Sequence, residues 1–292
     1  MIKIAVIGTQ GMLGSTVCRY LTADGYEVVE INSTGQTQSN NSIIKFDIAT
    51  DGINNLRSTL DDVDFVINCA GLIKHKIEEK SSNSMRNLIK VNSLFPIELS
   101  ELARTLDFKV IQIATDCVFS GDKGKYTESD FKDPVDVYGY SKFMGEHFHD
   151  NLITLRCSLI GKELYSKVEF LEWVLSHNNG TSVNGFTNHF WNGLTTLHYA
   201  KVVSGIMKRS HFTAGTFHLI PKDSVSKFQL SKIILESFGR SSTNVNPIES
   251  QKSVNRTLGT NNQQFNLDMW RDAGYNNTLT ITEMIKEYSL WS

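Results

Sequence analysis

Hydrophobic and polar positions along the first half of the chain fall into two alternating registers. Short, nearly continuous apolar runs occur at "KIAVIG" (3–8), "YEVVEI" (26–31), "IIKF" (43–46), "FVINCAG" (65–71), "KVIQIAT" (109–115) and "LITLRCS" (152–158). Stretches at 12–23, 84–106 and 138–149 instead read as helices. Runs that are apolar throughout suit strands buried on both faces, and the intervening helices suit the cover of those faces. The pattern predicts a doubly wound α/β domain with a parallel sheet, whose ligands sit beyond the carboxyl ends of the strands.

The rhythm changes after residue 158. A helical stretch near 168–177 precedes the turn-rich "HNNGTSVNG", followed by a helix at 197–209, a strand "TFHLI" (216–220) and a helix at 226–238. The region 240–280 is rich in Asn, Ser and Thr and only weakly periodic. The expected division is an α/β domain over 1–158, with part of 190–212 returning to it, and a smaller lobe over 159–292 that binds substrate.

Charge and composition narrow the classes. A net charge of −2 and a pI near 6.4 give no basic field for nucleic acid or anionic lipid. The apolar start is too short for a signal peptide, and no segment approaches ~18 apolar residues, so a cytoplasmic protein without membrane contact is expected. The four cysteines, Cys18, Cys69, Cys117 and Cys157, form no C-x-x-C pair and read as buried thiols. The eight histidines show no metal-ligand spacing, since His147 and His149, two apart on a helix, point apart; no metal is expected.

Chemistry enters at "GTQGMLG", where Gly8, Gly11 and Gly14 follow the first strand and open a helix. That context predicts a pyrophosphate held by Gln10 and by backbone N–H groups at Gly11, Met12, Leu13 and Gly14. The acidic residue that would favour NAD at the second strand's end is replaced by Asn32, followed by Ser33 and Thr34. The cofactor is therefore NADP or NAD, with a slight lean to NADP. Asp47 and Ile48, after the third strand, either meet the adenine or form a turn.

Tyr138 and Lys142 lie four residues apart, on one helix face. A tyrosine with a pKa near 10 is a poor proton donor–acceptor at neutral pH unless a cation lowers it. With "NCAG" (68–71) and "IATDCVFSG" (113–121) upstream, the chain resembles an extended short-chain dehydrogenase/reductase. Within that superfamily it resembles the dTDP-4-dehydrorhamnose reductases and related nucleotide-sugar reductases. The family patterns G-x-x-G-x-x-G, N-x-A-G, S-T-D-x-V-F-x-G and Y-G-x-[ST]-K-x-x-G-E match "GTQGMLG", "NCAG", "ATDCVFSG" and "YGYSKFMGE".

The resemblance implies a Rossmann-type domain and a Thr115–Tyr138–Lys142 triad. Thr115 would bond the substrate carbonyl, Tyr138 would protonate it, and Lys142 would hold the cofactor ribose and lower the tyrosine pKa. Asn92 would support the lysine through water, while Cys69, Ala70 and Gly71 would line the cofactor. Val118, Phe119, Lys74, Trp191, Asn192 and Arg256 are candidate substrate contacts. Two have plainer readings: Trp191 packs the lobe, and Lys74, with His75 and Lys76, belongs to a solvated loop. Thr115-Asp116-Cys117 lacks the second acid that 4,6-dehydratases carry, so reduction is favoured over elimination. The expected reaction is NAD(P)H-dependent reduction of a keto group, at C4, on a nucleotide-linked deoxysugar for polysaccharide synthesis. The alternatives are an epimerase and a non-catalytic regulatory subunit. The resemblance also implies a possible homodimer.

Overall fold

The computed structural model describes residues 2–37, 39–209 and 211–292. Its main sheet comprises β1 (Lys3–Ile7), β2 (Glu27–Asn32), β3 (Ser42–Lys45), β4 (Phe65–Asn68), β5 (Lys109–Ala114), β6 (Leu152–Arg156) and β7 (Gly215–His218). These seven strands are all parallel, in the order β7-β6-β5-β4-β1-β2-β3. The direction of strand succession reverses between β1 and β4, which leaves a crevice above their carboxyl ends.

The helices of eight residues or more are α1 (Met12–Ala23), α2 (Ser82–Ile89), α3 (Phe95–Leu106), α4 (Val137–Met144), α5 (Thr196–Met207), α6 (Lys227–Ser237), α7 (Gln263–Asp272) and α8 (Ile281–Trp291). Both sheet faces are covered, as the continuous apolar strands require. One core joins Val17 and Leu21 of α1 to Val203 of α5, Trp270 of α7 and Met284 of α8. The other joins Val66 and Val110 to Leu99 and Ala103 of α3.

Several expectations change in detail. The stretch read as one helix over 84–106 contains a π turn at Lys90–Leu94, which places Asn92 against α4. The helix expected over 138–149 ends at Met144, because Gly145 caps it and Glu146 turns away toward Arg156. The second half of the chain returns to the α/β domain through α5, packed on α1, and also through β7, which lies beyond 190–212. The weakly periodic 240–280 region contains α7. Met269 and Trp270, both fully buried, anchor that helix, the tryptophan Nε1–H donating to the Ile220 carbonyl at 2.9 Å. What remains as a lobe is α6, a short helix at Phe170–Leu175, and small sheets that pair Ser182–Phe186 with Asn244–Ile248 and His189–Trp191 with Val225–Ser226 and Val254–Asn255. Among the described residues no helix is long and apolar enough to cross a membrane. Nor, among them, does any group of three or more His, Cys, Asp or Glu side chains suit a metal.

Behind α4 lies a buried ion pair. Arg156, 1% exposed, donates from Nε to Glu146 Oε1 at 3.1 Å and from Nη2 to Oε2 at 2.5 Å. Its guanidinium also abuts His218, whose pKa falls to about 4 through burial and then through that same charge, so the imidazole is neutral. Removing Arg156 leaves the buried Glu146 carboxylate with only Lys132, 3.8 Å away, to offset its charge. Arg156→Met is therefore expected to cost about 3 kcal/mol in urea unfolding at pH 7. A loss below ~1 kcal/mol would show that the pair is not structural.

Candidate active site

The glycine loop is shaped by contacts that only glycine permits. Gly8 has φ +85°, and a Cβ there would lie 2.9 Å from the backbone of Ala70. A Cβ on Gly14 would lie 2.2 Å from the Gly8 carbonyl oxygen, so α1 starts directly on the turn. Gly11 is the N-cap of α1 and offers no side-chain cap, which leaves the N–H groups of the first turn without a side-chain acceptor. These donors at a positive helix end, beside "NCAG", fit a dinucleotide pyrophosphate.

The end of β2 is arranged differently from the expectation. Asn32 is 5% exposed; its amide donates to Thr9 Oγ1 and the Gln36 carbonyl, and its oxygen accepts from Thr34 and Gly35 N–H. Asn32 thus braces the loop, and its amide is spent rather than free for a ribose. Ser33 and Thr34 are the exposed groups beside it, and Gln10 reaches across to the Thr34 hydroxyl. Asp47 Oδ1 accepts from the Ala49 N–H at 2.9 Å, the turn reading, and Ile48 packs at the edge of the α3-side core.

The triad residues meet at the end of β5. Thr115 caps the short turn Asp116–Val118, its Oγ1 accepting from Cys117 N–H at 3.2 Å. A Cβ on Gly139 would lie 2.3 Å from the Cys117 carbonyl, so the backbone of α4 lies directly against this turn, with Tyr138 beside it. Asp136 caps α4 by accepting from Gly139 N–H at 2.8 Å, and its other oxygen receives Lys74 Nζ at 2.5 Å. The π turn completes the seat: Asn92 donates to Ser141 Oγ and clamps both backbone groups of Leu72, and Ser93 Oγ donates to the Ser141 carbonyl. Asn92 therefore holds α4 against the segment after Gly71. Lys142 donates to the Ile113 carbonyl at 3.0 Å and lies close to Cys69.

Burial dominates the electrostatics. It pushes Lys142 down to about 8, with Glu146 and Cys69 pulling the other way. Tyr138 is pushed far up by burial and by Cys117, and only Thr115 favours its phenolate. Lys142, whose ammonium donates to the Ile113 carbonyl, is not among the main groups that shift Tyr138. Asp116 is raised by burial against the opposing fields of Arg256, Lys227 and Lys74. Cys117 is pushed up to about 11, so it stays a thiol.

Most expected substrate contacts turn out to be framework. Val118 and Phe119 are fully buried, the ring of Phe119 stacked on Tyr126 at 4.4 Å. Trp191 is 4% exposed and donates to Ser158 Oγ, so it packs the lobe rather than a sugar face. Asn192 uses both ends of its amide on the backbone of Leu258. Arg256 donates from Nε to the Phe119 carbonyl while its charge acts on Asp116. Lys74 remains at the cleft, paired with Asp136. Sequence reasoning missed Asp136, Ser141 and Lys227. Asp136 had a readable signal, an Asp three residues before the glycine it caps; Lys227 had none.

The parallel sheet, glycine loop and tyrosine–lysine helix define the extended short-chain dehydrogenase/reductase class. The chain belongs to the RmlD substrate binding domain family, whose profile matches residues 2–289. It is 28% identical over 248 residues to the probable low-salt glycan biosynthesis reductase Agl14 of Haloferax volcanii, covering 82% of this chain and 81% of that one. It is 26% identical over 207 residues to methionine adenosyltransferase 2 subunit beta of Mus musculus, covering 66% and 60% respectively. Among solved structures, a dTDP-4-dehydrorhamnose reductase from Bacillus anthracis in complex with NADP superposes with a TM-score of 0.76 at 17% identity, over 100% of both chains. At that identity the likeness carries the fold.

Lys142 also makes a testable demand on stability. Its folded pKa of about 8 lies below the ordinary lysine value of 10.5. The penalty for burying its charge is therefore fully present below pH ~8 and is relieved as the pH rises from ~8 to ~10.5. Lys142→Met should stabilise the unliganded protein at pH 7 by on the order of 2 kcal/mol, an advantage that shrinks toward pH 10. Urea unfolding at both pH values checks this; a destabilised variant at pH 7 would contradict it.

Proposed function

We propose that the protein is an NAD(P)H-dependent reductase acting on the C4 keto group of a nucleotide-linked deoxysugar in glycan synthesis. The observation that carries the reading is the convergence of Thr115 and Tyr138 at the end of β5, above the crevice that the glycine loop opens. A bound nicotinamide supplies the hydride. Thr115 Oγ1 orients and polarises the carbonyl oxygen, and Tyr138 donates the proton to it. Held protonated by burial, Tyr138 is in the form required of that acid. With the cofactor bound, Lys142 would hold its ribose, and its charge would then lower the tyrosine's pKa. Cys117, a thiol where elimination would need a second carboxyl, supports reduction. The absence of an acid at the β2 end and the NADP bound to the Bacillus anthracis structure support NADP.

A second reading, a cofactor-binding regulatory subunit, is favoured by the relation to methionine adenosyltransferase 2 subunit beta. One assay separates the two: oxidation of NADPH and NADH with dTDP-, UDP- and GDP-4-keto-6-deoxysugars. Turnover with at least one donor is expected. Tyr138→Phe should lower it by about 10²-fold or more while leaving NADPH affinity within about twofold. No turnover with any donor, despite tight cofactor binding, would favour the regulatory reading.

A further inference from the structure

Among the described residues, Lys227 is a cation beside the cleft that the reading above leaves without a task. It is the first residue of α6, after the capping-box serine Ser226, so its charge sits at the positive end of a helix. Its ammonium lies 4.0 Å from the centre of the Phe170 ring and 5.6 Å from that of Trp191. Among the described residues it has no carboxylate within ion-pair distance and donates no hydrogen bond to protein. Lys74, by contrast, is paired with Asp136. Trp191 in turn donates to Ser158, just past the carboxyl end of β6, and β6 runs beside β5, which leads into Thr115. Lys227 therefore stands at the same strand ends as Thr115 and Tyr138. Glu169 is tied to His75 at 3.4 Å, and Asp116 bonds its neighbour Thr115.

We propose that Lys227 is a substrate-contacting residue that donates to oxygen substituents of the sugar ring, and so helps determine which sugar is accepted. This rests on the nucleotide-sugar reading given above. A ring whose keto oxygen meets Thr115 and Tyr138 lies over these strand ends, on the side where Trp191 and Lys227 stand. The ammonium has no acceptor in the protein, and an oxygen-rich ring would supply acceptors for it. Burial lowers the group to about 8, which leaves it mostly charged at neutral pH yet reactive enough to label. Asp116, which accepts from its neighbour Thr115, gives the same strand end an acceptor, so the site offers both roles to a polyhydroxylated ligand.

The test uses the NADP-loaded full chain and two sets of probes: dTDP, UDP and GDP, and their glucose conjugates. Each is first titrated by calorimetry. Lysines are then dimethylated with formaldehyde and a borane, and modification is read by peptide mass spectrometry. At saturation, a glucose conjugate should protect Lys227 at least about fivefold more than its parent nucleoside diphosphate, with exposed Lys222 and Lys232 unchanged. Lys227→Met should weaken the conjugate about tenfold and leave the parent's affinity unchanged, with Lys227→Arg recovering part of the loss. Equal protection by parent and conjugate would make Lys227 a phosphate contact and overturn the proposal. Full labelling under a bound conjugate would make it a packing residue and do the same. If no conjugate binds at all, the nucleotide-sugar reading itself fails, and the assignment of Lys227 falls with it.

Discussion

The close approach of the α4 backbone to the end of β5 is the constraint on which the rest of the site depends. Gly139 has no room for a side chain because the Cys117 carbonyl occupies that space. Gly145, at the other end of the helix, is pressed as closely against the Asn92 carbonyl, which a Cβ would approach to 2.1 Å. Between these two contacts the helix is pinned in register, and Tyr138 and Lys142 inherit their positions from it. The π turn belongs to the same device: one extra residue in the turn brings Asn92 and Ser93 to bear on Ser141.

Charge placement follows from that packing. Lys142, Asp116 and Lys227 all sit where burial opposes their ionisation, and none has a direct ion pair of the kind that Arg156 makes with Glu146. The contrast separates framework from chemistry. Behind α4, Arg156 and Glu146 match each other; in front of it, Lys74 pairs with Asp136, while Lys142, Asp116 and Lys227 have no ion-pair partner among the described residues. Unmatched buried charges lower the stability of the free protein and are compensated when ligand groups arrive.

Much of this was readable from residue order. The near-continuous apolar strands gave the parallel sheet, and glycines placed after a strand gave the phosphate loop. Tyr138, Lys142 and Thr115 were identified by motif, and the structure brings them to one strand end. The failures share a cause: a motif names a residue but does not say how its side chain is spent. Asn32 stands where a ribose contact belongs, yet its amide is consumed by its own loop. Asn192 and Trp191 stand in the expected substrate segment, yet backbone and Ser158 claim them. Lys227 escaped notice because it reaches the cleft through the fold, across more than a hundred residues. Helix α7 was missed because one tryptophan and a few neighbours hold it, too little to set a periodic signal.

The central claim is that Thr115, Tyr138 and Lys142 reduce a carbonyl by direct hydride addition. The most direct measurement is to run the reaction with NADPH deuterated at the transferring position and locate the label in the product sugar by NMR. One deuterium on the new alcohol carbon, with no solvent hydrogen exchanged at the adjacent carbons, is the result predicted. Solvent hydrogen at an adjacent carbon, or a product without deuterium, would contradict it.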